Sequence, residues 1–351
     1  GAEEETAALK AQREAAEVQR ADRRVIAAGD VERAGAHASD VVGAQQQRGE
    51  DQEVAIGAEA VGDEAADVAA APVDLHGDAA LAGWRNVVEH VHAAGGKIIP
   101  QLWHMGELRT EGTPPHPQAK NMCAGEMSAA EIADIIAAFV RSAANAKAVG
   151  FDGVALHGGH GYLIDSFLWA GTNARDDAWG GDLARRTRFT TELVTAIRAA
   201  VGDNFPILFR ISQWKLQDYE AKLAETPEEL GVIVEALAAA GVDIFDVSTR
   251  VFSLPAFPGS EMGLAGWVRK LSGKPTITVG GIGFDKELAA SFVQPTQAVD
   301  NLGDVVRRFA AEEFDLVALG RALLMDPAWV LKAQAGMPFE PFDITAYGRL
   351  D

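Results

Sequence analysis

The regular alternation of helical and strand-like segments after about His76 constrains the fold of this chain more than any other feature. The strand-like runs are short and apolar, and they span residues 97–103, 153–156, 206–211, 242–247, 276–279 and 316–319. The helical segments span residues 81–94, 129–148, 186–200, 227–240, 264–271 and 301–312. Short apolar strands are typical of parallel sheets covered by helices. The alternation therefore predicts an α/β fold, a (β/α)8 TIM barrel rather than a sandwich.

Two helix starts carry strong local signals. Ser128 and Glu131 match a capping box, in which each side chain accepts a hydrogen bond from the backbone of the other residue. Thr226 and Glu229 match a second capping box, with Pro227 at the first helical position, where no intrahelical N–H bond is lost. These patterns predict two well-defined helix N-termini.

Residues 1–75 differ in composition from the rest of the chain. They contain no Phe, Tyr or Trp, and their 17 Asp and Glu against 7 Lys and Arg account for half of the net charge of -20. Such a segment can bury little apolar surface, so we expect disorder or loosely packed helix there. Only six strands are legible after residue 95, so the first two βα units of the barrel are absent or replaced. The predicted domains are an atypical acidic segment, 1–75, and a barrel domain, 76–351.

Composition also restricts the partners of the protein. A net charge of -20 argues against nucleic acid and against anionic membrane surfaces. No apolar run approaches the ~20 residues of a membrane span, and no secretory leader is legible. Cys123 is the single cysteine, which excludes an internal disulfide, a cysteine-based zinc site and an iron–sulfur cluster. We therefore expect a cytoplasmic protein that acts on small molecules.

The segment His157–Tyr162, with the sequence HGGHGY, follows the predicted strand 153–156. In a barrel, functional side chains lie at the carboxyl ends of the strands. Two imidazoles can hold a carbonyl oxygen, a phenol can supply a proton, and the intervening glycines permit a sharp turn. This segment therefore predicts an enzyme that reduces a polarised double bond.

Other strand ends supply polar and glycine residues, namely Gln101, Trp103, Arg210, Gly280, Gly281, Gly320 and Arg321. The two glycine-bearing turns follow the last two predicted strands, and each is expected to open a helix. Turns of this type form the usual phosphate site of a barrel, where an arginine can pair bidentately with the phosphate.

Each candidate also has a plainer interpretation. The histidines can be satisfied buried side chains, Tyr162 can pack at a helix start, and Arg210 can form a buried ion pair. Glycine pairs mark any tight turn. A metal site at the two histidines lacks a neighbouring carboxylate. A flavin-free barrel lyase or aldolase that binds a sugar phosphate lacks an obvious Schiff-base lysine at a strand end.

Six motifs occur in a fixed order along the chain. They are QLWHMG at 101–106, GFDGVALHGGHGYLIDSFL at 150–168, TNARDDAWGGDLARRTRF at 172–189, FRISQW at 209–214, TITVGGIG at 276–283 and DLVALGRALLMDPAW at 315–329. In this order they resemble the Old Yellow Enzyme family of FMN-dependent ene-reductases. The resemblance covers about three quarters of the chain, from about His76 to about Ala335.

The resemblance implies a role for each candidate residue. His157 and His160 would hold the carbonyl or nitro oxygen of an unsaturated substrate, Tyr162 would protonate the substrate carbon, and Trp103 would form a pocket wall. The implied ligands of FMN are Gln101 and Arg210 at the ring and Gly280, Gly281, Gly320 and Arg321 at the phosphate. NADPH or NADH would supply the hydride, and a homodimer is compatible with the family.

The chain departs from the family at its N-terminus, because the first-strand segments that contact the flavin are not found in residues 1–75. One hypothesis is that these residues come from another reading frame or strand of GC-rich DNA, and the other is a genuine replacement. Losing two strands would expose the edges of the barrel. The alternative to an active enzyme is therefore a catalytically impaired or non-catalytic relative with an incomplete barrel.

Overall fold

The computed structural model describes residues 75–109, 112 and 118–345 of the 351-residue chain. These residues belong to two compact units. The first comprises the described residues up to Ser248 with Lys270–Lys274, and the second comprises Thr249–Arg269 with the described residues from Pro275 onward. The predictions for residues 1–74, including the absence or replacement of the first two βα units, lie outside the described residues.

Helices and strands alternate in the first unit, as the sequence predicts. In chain order its elements are α1 (Asp78–Ala93), β1 (Gln101–Leu102), a 3₁₀-helix (Gly106–Leu108), α2 (Ala129–Val149), β2 (Val154–His157), α3 (Leu163–Leu168), α4 (Leu183–Val201), β3 (Ile207–Ser212), α5 (Pro227–Ala240) and β4 (Ile244–Ser248). The strands are parallel and pair in chain order, β1 with β2, β2 with β3 and β3 with β4. Parallel neighbours joined through a helix are the βαβ units that the alternation predicts.

The register of this sheet brings polar residues together at the carboxyl ends of the strands. Arg210 of β3 lies opposite His157 of β2 and Asp246 of β4. Two residues further along β3, Ser212 lies opposite Ser248, the last residue of β4. Carboxyl ends of parallel strands share one edge of the sheet, so these five side chains are neighbours by topology alone.

The second unit contains a parallel strand pair and several short helices. Its elements are α6 (Leu264–Ser272), which begins in this unit, β5 (Thr276–Val279), α7 (Leu288–Val293), α8 (Leu302–Ala310), β6 (Leu316–Val317), α9 (Arg321–Met325) and α10 (Trp329–Ala335). Strands β5 and β6 pair in parallel, with Ile277 opposite Leu316. The six predicted strands are thus all present among the described residues.

The capping predictions are confirmed at one helix and half wrong at the other. At α2, Ser128 Oγ accepts from Glu131 N at 3.2 Å, and Glu131 Oε2 accepts from Ser128 N at 2.7 Å, which completes the capping box. At α5, Thr226 Oγ1 accepts from Glu229 N at 3.2 Å. The Glu229 carboxylate instead accepts from the backbone N–H of Glu225, one residue before the N-cap, at 2.7 Å.

Three predicted boundaries are wrong in instructive ways. Among the described residues, strand 97–103 forms ladder pairs with β2 only at Gln101–Leu102, although the Ala155 N–H also donates to the Pro100 carbonyl at 2.9 Å. Strand 316–319 is reduced to Leu316–Val317. Gly280-Gly281 does not open a helix, since α7 begins only at Leu288. Arg321, by contrast, is the first residue of α9, as predicted.

Large aromatic side chains form the core of the first unit. Phe139, Phe167, Phe189, Phe209 and Phe245 are fully buried. The rings of Phe167 and Phe189 stack with centroids 4.0 Å apart, which joins α3 to α4. Among the helices in the described ranges, none is long and apolar enough to cross a membrane.

Candidate active site

The turn between β2 and α3 is built around glycine. A Cβ at Gly158 would collide with the ring of Phe209, and Gly161 has a φ of 86°, where side chains are rarely tolerated. His160 itself adopts a φ of 62°, in the left-handed region that few non-glycine residues occupy. This turn reverses the chain sharply enough to bring His157, His160 and Tyr162 together.

A continuous chain of hydrogen bonds runs through the two histidines. His157 Nδ1 lies 2.7 Å from Gln101 Oε1, and His157 Nε2 lies 2.8 Å from His160 Nδ1. His160 Nε2 lies 3.0 Å from the hydroxyl of Ser248. The His160 backbone N–H donates to Ser212 Oγ at 2.9 Å. All four ring nitrogens therefore have partners within the first unit.

Both histidines are buried and electrically neutral. Burial, followed by the nearby charge of Arg210, lowers the pKa of His157 well below its ordinary value. Burial also lowers the pKa of His160 well below its ordinary value, with further contributions from His157, Arg210 and Lys215. Each ring therefore carries one N–H at neutral pH, so each can donate one hydrogen bond to an oxygen without itself being a cation.

Tyr162 and Trp103 lie beside the histidine pair. The ring centroids of Tyr162 and His157 are 4.8 Å apart, and those of Tyr162 and Trp103 are 4.7 Å apart, both edge to face. Tyr162 occupies the N-cap position of α3 and is partly exposed, whereas His157 and His160 are buried. The phenol therefore faces accessible space next to two buried imidazoles.

Arg210 and Asp246 form an ion pair one strand away from His157. Arg210 Nε donates to Asp246 Oδ2 at 2.7 Å, and the two side chains are 14% and 11% exposed. The other carboxylate oxygen, Asp246 Oδ1, is buried and has no hydrogen-bond partner among the described residues. A buried acceptor without a donor is costly, so this oxygen is suited to the N–H of a ligand.

A second ion pair, between Lys215 and Asp165, lies behind the turn. Both side chains are 0% exposed, with Lys215 Nζ 2.8 Å from the carboxylate. Asp165 also accepts from the backbone N–H of Gly161 at 2.7 Å. The Leu216 N–H donates to the His160 carbonyl at 3.0 Å. The segment after β3 thus holds the histidine turn from behind.

The predicted phosphate-binding residues lie in the second unit. Gly280 and Gly281 both have positive φ, 133° and 70°, and a Cβ at Gly280 would collide with the Thr249 carbonyl. A Cβ at Gly320 would meet no atom within 4 Å. The Arg321 guanidinium lies 4.8 Å from the Phe284 ring and donates to the Lys286 carbonyl at 3.0 Å. The space beside Gly320 leaves its backbone open to close approach.

Several residues of the site were missed from the sequence, namely Asp165, Ser212, Trp214, Lys215, Asp246 and Ser248. Asp246 and Ser248 end the strand IFDVS, so the rule that function lies at strand ends could have found them. Lys215 and Asp165 are 50 residues apart, and no local pattern links them. In the part of the chain that the structure describes, no three His, Cys, Asp or Glu side chains group as metal ligands.

Comparisons with known proteins agree with this arrangement. The sequence profile of the NADH:flavin oxidoreductase / NADH oxidase family matches residues 45–340. The match therefore includes part of the segment 1–75, which was predicted to lie outside the resemblance. An NADH oxidase from Thermoanaerobacter brockii is 35% identical over 280 residues, 75% of this chain but only 40% of that protein. An NADPH dehydrogenase from Clostridium acetobutylicum is 34% identical over 258 residues, 70% of each chain.

Solved structures agree on the fold. Morphinone reductase in complex with tetrahydroNAD superposes with a TM-score of 0.64 at 23% identity, over 78% of this chain and 75% of that one. This likeness confirms the predicted barrel class. The family profile and the NADPH dehydrogenase relative confirm the predicted resemblance to the Old Yellow Enzyme family. The chain therefore belongs to the NADH:flavin oxidoreductase / NADH oxidase family, as an NAD(P)H-dependent flavin oxidoreductase.

Proposed function

We propose that the protein reduces the C=C bond of α,β-unsaturated carbonyl or nitro compounds. The observation that carries the proposal is the placement of two buried, neutral imidazoles beside a partly exposed phenol, with His157 and Tyr162 rings 4.8 Å apart. Neutral N–H donors can hold an oxygen as negative charge develops on it, and they do so best in a site that excludes water. A phenol next to that oxygen can then deliver a proton to carbon.

The described residues fit FMN in two respects. In the first unit, the buried Asp246 Oδ1 has no donor in the part of the chain that the structure describes, and the Arg210 guanidinium lies beside it. This edge therefore suits the polar rim of a flavin ring. In the second unit, the open backbone at Gly320 and the adjoining Arg321 suit a phosphate. Gln101 is a further candidate for the ring, and Gly280 and Gly281 for the phosphate. FMN, when bound, would accept hydride from NAD(P)H and pass it to the substrate.

The residues of this chain would then divide the remaining work. His157 and His160 bind the substrate oxygen and draw electron density out of the alkene. Their burial strengthens both hydrogen bonds, because the local dielectric is low. Tyr162 protonates the substrate, and its partial exposure lets water restore the phenol proton. Trp103, whose ring centroid lies 4.7 Å from that of Tyr162, would form a wall of the substrate pocket.

The proposal is tested with Tyr162→Phe in purified, flavin-loaded protein. We expect enone reduction to fall by about 100-fold, since general acid catalysis is worth ~10²–10⁴-fold. The rate at which NADPH reduces the bound flavin should change less than about twofold, since no proton is delivered to carbon in that step. Tyr219→Phe, in the segment after β3, is the matched control and should behave as wild type.

Two outcomes would contradict the proposal. Equal losses in both half-reactions would remove Tyr162 as proton donor. A wild-type protein that is yellow but reduces no enone or nitroalkene would favour the catalytically impaired relative instead. The cytoplasmic location, the homodimer and the division into a segment 1–75 and a domain 76–351 also stay predictions. Gel filtration of the purified protein tests the homodimer.

A further inference from the structure

The histidine pair ends in a hydroxyl group that the proposed reaction does not use. Ser248 is the last residue of β4, is 4% exposed, and lies with its Oγ 3.0 Å from His160 Nε2. At the other end of the hydrogen-bond chain through the two histidines lies the side-chain amide of Gln101, with its oxygen 2.7 Å from His157 Nδ1. The two ends differ chemically, because a hydroxyl can rotate to donate or accept in place, whereas an amide must turn over to do so.

Because both imidazole rings are neutral, the number of N–H groups in this chain of hydrogen bonds is fixed. Two neutral imidazoles carry two N–H groups between four nitrogens. When Gln101 presents its oxygen, the His157 proton must be on Nδ1, and His157 Nε2 must accept. His160 then donates from Nδ1, and its Nε2 accepts from the Ser248 hydroxyl. All three hydrogen bonds are satisfied in this single direction.

A substrate oxygen held by both rings needs a different proton arrangement. The two nitrogens that face each other, His157 Nε2 and His160 Nδ1, would then both have to donate. His160 already carries its proton there, provided that Ser248 donates to Nε2. His157 must give up the proton on Nδ1 and gain one on Nε2, and the ring stays neutral because the two changes balance. The Gln101 amide can support that form by turning its NH2 group toward Nδ1.

We propose that Ser248 is a positioning residue that keeps the His160 proton on Nδ1, the atom aimed at the substrate oxygen. The inference rests on the oxygen-holding role in the proposed function. It assigns unequal parts to the two histidines: His160 has the same tautomer with and without ligand, and His157 changes tautomer when the oxygen binds.

The surroundings of Ser248 support a fixed role. Its register partner on β3 is Ser212, whose hydroxyl accepts from the His160 backbone N–H. The His160 ring also packs against the Trp214 ring, with centroids 4.3 Å apart. The backbone, the ring face and the far nitrogen of His160 are therefore all held, which leaves Nδ1 as the nitrogen available to a ligand.

The direct test is the ¹⁵N spectrum of protein labelled at histidine, recorded with and without p-nitrophenol. We expect His160, identified by the loss of its signals in His160→Gln, to show protonated Nδ1 and bare Nε2 in both states. We expect His157, identified through His157→Gln, to change from protonated Nδ1 to protonated Nε2 on binding. Protonated Nε2 on His160, or a doubly protonated ring in the complex, would overturn the inference.

Variants at Ser248 supply a second test in the flavin-loaded protein. Ser248→Ala should weaken p-nitrophenol binding by about fivefold, the worth of one ordinary hydrogen bond. Ser248→Thr keeps the hydroxyl and should bind within about twofold of wild type. Ser142→Ala, at a buried serine of α2 that is 4% exposed, is the matched control for loss of a hydroxyl. Unchanged affinity and ¹⁵N shifts in Ser248→Ala would refute the role of Ser248.

The two proposals fail in different ways. If wild-type protein binds no phenol and reduces no enone, the proposed function fails. If His157→Gln and His160→Gln both weaken phenol binding while Ser248→Ala does not, the oxygen-holding role stands and the role of Ser248 is lost. Should Ser248→Ala fold poorly, the tautomers of wild-type protein still decide the question.

Discussion

Two buried ion pairs of the first unit have similar chemistry and different surroundings. Lys215 and Asp165 are 0% exposed, and the carboxylate also accepts the Gly161 N–H. Arg210 and Asp246 are 14% and 11% exposed, and Asp246 Oδ1 has no hydrogen-bond partner within the described ranges. The Lys215–Asp165 pair is complete and holds a turn of the backbone. The Arg210–Asp246 pair is incomplete, which is what a ligand-binding pair requires.

The cations of both pairs also influence the pKa of a neighbouring histidine. Arg210 contributes to the lowered pKa of His157, and Arg210 and Lys215 both contribute to that of His160, after the larger effect of burial. Both cations therefore add to the effect of burial on His160, whereas only Arg210 adds to it on His157. The two ion pairs differ in the expected result of removing the cation: loss of Lys215 should lower the stability of the fold, and loss of Arg210 should weaken ligand binding.

The largest effect is expected from Lys215→Met, which leaves the Asp165 carboxylate buried without its cation. Breaking a buried pair in this way costs about 3–5 kcal/mol, so the free energy of unfolding in urea should fall by that amount. The double variant Lys215→Met/Asp165→Asn removes both charges, keeps an acceptor for Gly161, and should recover more than half of the loss. A change below ~1 kcal/mol in the single variant would show that the pair is not structural.

A smaller effect, on ligand rather than fold, is expected from Arg210→Lys. Lysine keeps the charge but loses the planar fork that can contact Asp246 and a flavin together. We expect FMN to bind about 10- to 100-fold more weakly, as measured by ultrafiltration of the flavin, since hydrogen bonds to charged groups are worth ~1.5–3 kcal/mol. Arg188→Lys, in an exposed pair with Glu192, is the matched control. If FMN affinity is unchanged while the free energy of unfolding falls by about 3 kcal/mol or more, Arg210 has a structural role like that of Lys215 and does not bind the ligand.

The smallest effect is expected in the pH dependence of stability. A variant of His104 tests whether a buried imidazole stays neutral. Burial, and then the charge of Arg109, lowers the pKa of His104 from 6.5 to about 4. The unfolded chain therefore takes up this proton first as the pH falls, and the stability that His104 contributes above pH 6.5 is lost progressively down to about pH 4. In His104→Asn, the slope of unfolding free energy against pH in this window should be shallower by up to about 1.4 kcal/mol per pH unit. An unchanged slope would mean that His104 is protonated in the native protein.

Much of the fold could be predicted from short patterns in the sequence. The capping box at Ser128 and Glu131 is complete, and the helix it starts ends at Gly150, which has a φ of 111°. Such signals work because the hydrogen bonds they describe join residues a few positions apart. Local patterns do not predict the length of a strand, because that length depends on pairing with a strand distant in sequence. Of the predicted strand 97–103, only Gln101–Leu102 pairs with β2.

The candidate site was predictable to the same extent. His157, His160 and Tyr162 stand within six residues, so one turn brings them together. Asp246 and Ser248 reach the same place only because β4 lies beside β3 in register. Lys215 meets Asp165 only because the segment after β3 folds back on the turn. The strand end marks Asp246 and Ser248 as candidates, but no local pattern shows which residues they or Lys215 contact.

The sequence by itself determined which chemical groups are available and in what order the strands and helices present them. Its motifs led to the family, and its hexapeptide led to the imidazole pair and the phenol. Only the tertiary structure decided the state of those groups. Burial removes the charge from both imidazoles, and Gln101 and Ser248, which lie 56 and 88 residues from their histidine partners, complete the hydrogen-bond chain. Tautomer and charge depend on such contacts because desolvation and hydrogen bonding act through space, whatever the separation along the chain.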